Sequence, residues 1–168
     1  LGTGSKRIRL RNIQNPFLKG TLTGFLFESM KQGINTVIEQ SASINSITIT
    51  AGAINSPSIT ATPLNRNLRV DYTISFTPSN TIPAGGSIQI TFPTTYNSLD
   101  STCRVIRGLT ASASGLSCTA DSTTKTVVIT GFTETPPQFI QIKIYATNPN
   151  DIGFTPQFQI ASFTSAVP

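Results

Sequence analysis

Between Arg69 and Thr77 apolar and polar side chains alternate without a break. The strand is expected over Leu68–Thr77, with Leu68, Val70, Tyr72, Ile74 and Phe76 on the inward parity and Arg69, Asp71, Thr73 and Ser75 on the other. Successive side chains of an extended strand point to opposite faces, so such a run has one face to bury and one to leave in water. The pattern recurs in Ile88, Ile90 and Phe92 against Gln89 and Thr91. It recurs again in Ile140, Ile142, Ile144 and Ala146 against Gln141, Lys143 and Tyr145, and in Ile47, Ile49 and Ala51 against Thr48 and Thr50. A helix needs a period near 3.6, and only Gly24–Glu39 has room for one. Ile, Val and Thr are restricted at χ1 and suit a pleated surface, so composition and period agree.

Turn chemistry separates these runs. Asn15-Pro16, Pro78-Ser79-Asn80, Ile82-Pro83-Ala84-Gly85-Gly86 and Asn148-Pro149 each interrupt a strand pattern. Further strands are expected at Ile8–Ile13, Thr21–Ser29, Asn35–Gln40, Ser58–Thr62, Thr102–Arg107, Leu116–Ala120, Lys125–Phe132 and Phe154–Thr164. Short strands with frequent turns and half-polar faces point to an antiparallel sandwich or barrel. Parallel sheets covered on both faces lack such clean alternation.

The charges narrow the function. Only 11% of residues are charged, against about 25% in ordinary soluble chains. Lys6, Arg7, Arg9, Arg11 and Lys19 supply the whole formal charge of +5, and the rest of the chain is neutral. Arg7, Arg9 and Arg11 alternate with Ile8 and Leu10, which describes a strand with one charged face rather than a nucleic-acid groove interleaved with aromatics. The chain has no His, which excludes His-dependent triads and His metal sites. Two cysteines cannot build a four-thiolate zinc site, and no Asp-x-Asp-x-Asp run marks a Ca²⁺ loop. Gly85-Gly86 is followed by neither a Lys nor a helix, so it is not a phosphate loop. No catalytic residue, metal or cofactor is expected, and the chain reads as a non-enzyme. No segment approaches the ~18 apolar residues of a membrane span. Beginning at Leu1 without a leader pattern, the chain is expected to be a processed chain or a piece of a longer one.

Two segments resemble each other. Ile8–Ile13, Asn15-Pro16, Gly20 and Phe25–Ser29 are matched by Ile142–Thr147, Asn148-Pro149, Gly153 and Phe158–Ser162, with a one-residue slip before Asn-Pro. Residues 1–40 then read as a strand and hairpin extension, and residues 41–168 as a complete module.

The ordered set Tyr72-Thr73-Ile74-Ser75-Phe76-Thr77-Pro78, Ile82-Pro83-Ala84-Gly85-Gly86-Ser87-Ile88-Gln89-Ile90-Thr91-Phe92-Pro93, Tyr96, Cys103, Cys118 and Asn148-Pro149 resembles the Ig-like β-sandwich modules repeated in large secreted or surface proteins of ciliates and other microbes. The resemblance spans about Ile44 to Ser162. It implies an all-β chain, an antiparallel Ig-like β-sandwich behind an N-terminal strand or hairpin, and an extracellular structural or adhesive role. It brings no catalytic residues.

Cys103 and Cys118 enclose a loop whose closure by a disulfide is worth about 3 kcal/mol. A bonded pair with no cysteine left over suits an oxidising compartment; the alternative is two buried thiols in a reducing one. The pair is expected across a hairpin. Asp100, Asp121 and Asp151 sit in Ser/Thr/Asn-rich turns and are read as Asx-turn residues. Tyr72, Tyr96 and Tyr145 are candidates for a sugar-stacking platform, although parity sends Tyr72 to the core. No Asn-x-Ser/Thr sequon occurs, while the Ser/Thr-dense outer faces leave O-glycosylation and glycan partners open.

The leading expectation is a fibre subunit that polymerises with copies of itself. Lys6–Ile13 would insert into a neighbour, with Ile8, Leu10 and Ile13 buried and Arg7, Arg9 and Arg11 outside. The alternative is an adhesion module in a tandem-repeat surface protein.

Overall fold

The computed structural model describes residues 9, 11, 20–23, 27–31, 36–41, 46–96, 98–150 and 157–165. The chain divides into two compact units, Leu1–Ala51 and Gly52–Pro168. All of its described sheets are antiparallel, and no helix occurs among the described residues.

The first unit holds two separate ladders. β1 (Gly20–Leu22) pairs with β4 (Ile47–Ile49), and β2 (Phe27–Lys31) pairs with β3 (Thr36–Ser41). The stretch with room for a helix is therefore two strands, in keeping with the β-branched run Thr36-Val37-Ile38. Ile47 and Ile49 were expected in the sandwich. They belong instead to the first unit, where Leu22 faces Ile47 and Gly20 faces Ile49.

The second unit contains β5 (Ile54–Ala61), β6 (Arg69–Pro78), β7 (Ser87–Thr91), β8 (Leu99–Arg107), β9 (Ser117–Asp121), β10 (Thr126–Thr130), β11 (Ile140–Thr147) and β12 (Gln159–Phe163). They form two four-stranded sheets, β5-β6-β11-β8 and β12-β7-β10-β9, around one apolar core. The alternation places that core. Val70, Tyr72, Ile74 and Phe76 stand opposite Ala146, Ile144, Ile142 and Ile140, and all eight are buried. On the facing sheet Ile90 is opposed by Val127 and Ile160, and Ile88 by Ile129. Leu68 shares the inward parity but lies before β6 begins, and it is exposed. Ser87 has outward parity yet is fully buried, because its hydroxyl donates to the Ser165 carbonyl at 2.8 Å.

An immunoglobulin domain, with sheets ABED and CFG, pairs its second strand with its fifth and its third with its sixth. Here the third strand of the unit, β7, pairs with the sixth, β10, and the second, β6, pairs with the seventh, β11. One pair nests inside the other, so the strand order differs from the immunoglobulin order. The cause lies in the connections. The β6–β7 and β10–β11 crossings run side by side between the sheets, joined by paired backbone hydrogen bonds between Ile82 and Thr135 at 2.8 Å. The Ile-Pro-Ala-Gly-Gly-Ser run shapes the first crossing. Gly86 N–H donates to the Pro83 carbonyl at 3.0 Å, closing a turn with Gly85 at φ 78°. A Cβ on Gly86 would lie 2.7 Å from the Phe163 carbonyl oxygen, so glycine lets β12 approach.

Cys103 and Cys118 are joined as a disulfide, with their Cα atoms 5.9 Å apart. They do not sit across a hairpin. Cys103 lies on β8, the edge of one sheet, and Cys118 on β9, the edge of the other. β9 turns instead into β10, with which it pairs over its whole length. The bridge therefore clasps the two sheets along one side.

Ile142→Ala is expected to cost ~2–5 kcal/mol, because Ile142 is fully buried; Ile47→Ala, at a position 51% exposed, is expected to cost under ~1 kcal/mol. Cys103→Ser with Cys118→Ser should cost about 3 kcal/mol. Urea unfolding midpoints of the three variants check the ranking.

Candidate functional site

Asn148 directly follows β11 and is buried, 4% exposed. A buried amide must find partners, and this one finds three. Its Oδ1 accepts the Tyr72 hydroxyl, and its Nδ2 donates to the Asn65 carbonyl at 2.7 Å and to the Pro63 carbonyl at 3.4 Å. Its backbone N–H donates to the Leu68 carbonyl at 2.9 Å. Tyr96 donates to the Tyr72 hydroxyl at 3.0 Å, completing a polar chain from Tyr96 through Tyr72 to Asn148. Rings of Tyr72, Phe92, Tyr96 and Phe158 enclose it, most of them edge to face at centroid distances such as 5.1 Å for Phe92–Phe158. The chain fixes the 62–68 connection between β5 and β6 from beneath.

Burial pushes the Tyr72 phenol far above its ordinary range, aided by the hydrogen bond and charge of Tyr96. Burial also raises Tyr96, partly offset by its bond to Tyr72. Both are neutral structural groups. The three-tyrosine platform is therefore not assembled: Tyr72 and Tyr96 face inward, while Tyr145 faces outward beneath the Arg69 guanidinium, 4.5 Å from its ring centre.

The outer face of β5-β6-β11-β8 carries most of the unit's charge. Arg69 donates to Asp100 from Nε at 3.1 Å and from Nη2 at 2.5 Å. Lys143 reaches Asp71 at 3.3 Å. The bond from Arg69 holds the Asp100 carboxyl below its ordinary range, with help from the Thr102 N–H. Beside this pair lies a shallow depression of about 220 Å³, with Ser98, Ser101 and Thr147 among its lining residues. The ion pair engages its charged groups with each other. Asp121 accepts the Thr123 N–H and the Thr124 hydroxyl, each at 2.7 Å, and these bonds lower its pKa, the hydroxyl most. It closes an Asx turn, as its sequence context implied. Asp151 lies outside the described residues. Among the described residues no three potential metal ligands converge, and no helix is long and apolar enough to cross a membrane.

Of the expected subunit-contact strand, Arg9 and Arg11 are described; both are exposed and neither lies in a strand within the single chain. Arg7, Ile8, Leu10 and Ile13 lie outside the described residues, as does the first Asn-Pro of the internal repeat. The second copy is informative. The strand before Asn148-Pro149 is β11, which lies between β6 and β8 and pairs with both. The equivalent position in any complete copy is thus already occupied, so a donated strand cannot take it. Among the described residues of the second unit, β5, β8, β9 and β12 are the strands with one hydrogen-bonded neighbour.

Comparison with family models, curated proteins and solved structures finds no match.

The polar chain yields a pH dependence. The folded protein holds the Tyr72 and Tyr96 protons to higher pH than the unfolded chain does, so stability is full below about pH 10 and falls as pH rises beyond it. In an alkaline titration, phenolate absorbance from these two tyrosines should appear together with loss of near-ultraviolet dichroism; ionisation of both within an intact fold would contradict it. Asn148→Ala leaves the Tyr72 hydroxyl and two carbonyls short of a partner and should cost ~1–3 kcal/mol in urea unfolding.

Proposed function

We propose that this chain is a non-catalytic structural subunit of an extracellular fibre, in which the basic N-terminal segment of one copy pairs as an added strand with a sheet edge of the next. The observation that carries this reading is the alternation of Arg7, Arg9 and Arg11 with Ile8 and Leu10, a strand with one face to bury. The second unit supports it in three ways. Its core is closed, its clustered charges are largely paired with each other, and its sheet edges are what it offers a partner. Its disulfide suits the oxidising surroundings of a secreted protein. A head-to-tail contact of this kind continues into a filament unless its rotation closes a ring. The likeness to Ig-like surface modules points to the same extracellular setting, although the strand order of the second unit differs from the immunoglobulin order.

A second reading has its own support. A core that is complete without a donated strand also fits an adhesion module in a tandem array, joined to its neighbours covalently.

Sizing and electron microscopy of the chain with and without residues 1–20 separate the two. The fibre reading expects filaments from the full chain and monomers after truncation. Monomers from both would overturn it in favour of the array module.

A further inference from the structure

We infer that the acceptor for the N-terminal segment of a second copy is the free edge of β12, Gln159–Phe163; this inference rests on the strand-addition reading above. An exposed edge pairs with another strand unless something guards it, and the usual guards are proline, bulges, charge or a covering element. The second unit has four edge strands: β5, β8, β9 and β12. Three of them are guarded.

β5 contains Pro57, which has no N–H to offer. Its ladder slips between Asn55 and Ser58, and Ser56 sits at φ 48°. β8 slips twice against β11 and carries Arg104 and Arg107, which repel a donor bearing Lys6, Arg7, Arg9 and Arg11. Arg104 also stands directly opposite Lys143, concentrating positive charge there. β9 is clasped to β8 through Cys118. Among the described residues β12 shows none of these devices. Its sequence Gln-Ile-Ala-Ser-Phe holds no proline and no charge, and its ladder with β7 runs unbroken from Gln159↔Thr91 to Phe163↔Ser87.

The surroundings of β12 match the donor in polarity, and no strand of its sheet carries a positive side chain. β5 and β12 approach each other across the side of the unit that has no disulfide, without pairing. Ile59, Ala61 and Ile160 are only partly buried there. A strand added to β12 would place Ile8 and Leu10 in the row of Ile160, over that seam. Its arginines would join the outer face in line with Gln159, Ala161 and Phe163. That sheet's strands hold no positive side chain to repel the donor; their single charged residue, Asp121, lies on β9 at the opposite edge. The other sheet carries Arg69, Arg104, Arg107 and Lys143 against Asp71 and Asp100.

The test is disulfide trapping in the full chain. Arg7→Cys, Arg9→Cys and Arg11→Cys are each combined in turn with Ala161→Cys on β12, and with Thr60→Cys, Arg104→Cys or Thr119→Cys on β5, β8 and β9. After mild oxidation, a non-reducing gel is expected to show a thiol-reducible ladder of oligomers for at least one Ala161→Cys pair. The other three edges should stay at the level of the single variants. A ladder from another edge with none from β12, or assembly without a ladder from any Ala161→Cys pair, overturns the acceptor but leaves strand addition standing. Identical monomeric behaviour of the chain with and without residues 1–20 overturns both.

Discussion

The second unit is organised by the pairing of β6 with β11, which runs without a slip from Arg69↔Thr147 to Phe76↔Ile140. One side of this double strand supplies an unbroken wall of buried Val, Tyr, Ile and Phe side chains. The other supplies the outward row of ion pairs and hydroxyls. Each strand then recruits one further neighbour, β5 on one flank and β8 on the other. The facing sheet has only to present a matching apolar surface, and Ile88, Ile90, Val127 and Ile129 do so. Burial of each such side chain is worth ~1.5–3 kcal/mol, so this wall outweighs any single polar contact in the unit.

The polar chain of Tyr96, Tyr72 and Asn148 has a different part. It lies where β11 ends and where the connection preceding β6 must turn. An apolar residue in place of Asn148 would leave the Asn65 carbonyl without its 2.7 Å partner and the buried Tyr72 hydroxyl without its acceptor. Buried amides and phenols thus fix the path of a loop, whereas the apolar wall fixes the packing of the sheets.

Much of this was legible locally, and the reasons are local. Strand parity depends on neighbours two positions apart, so Val70, Ile74, Phe76, Ile140, Ile142 and Ile144 could be assigned from the alternation alone. The cysteine pair was legible as a pair. That it joins two sheets was not, because which strands become neighbours is decided by the nested return of the chain. Asn148 was visible only as a strand break; its side-chain partners lie 76, 83 and 85 residues away in sequence, and no local pattern encodes them. The expected boundary at residue 40 missed Ile47–Ile49 for the same reason, since β4 is held by a ladder to β1 rather than by its own alternation.

The position of the disulfide has a mechanical consequence. β5 opens the second unit and β12 closes it, and both are edge strands, so tension on the two ends of the unit enters through strands that each have one hydrogen-bonded neighbour. Cys103 and Cys118, 15 residues apart, lie between these points and short-circuit the chain. Under load the segment they enclose carries no force. At about 3.4 Å per extended residue, roughly 50 Å of chain is withheld from stretching until the bond is reduced. A unit built this way has two extensible lengths, and the redox state of its surroundings selects between them.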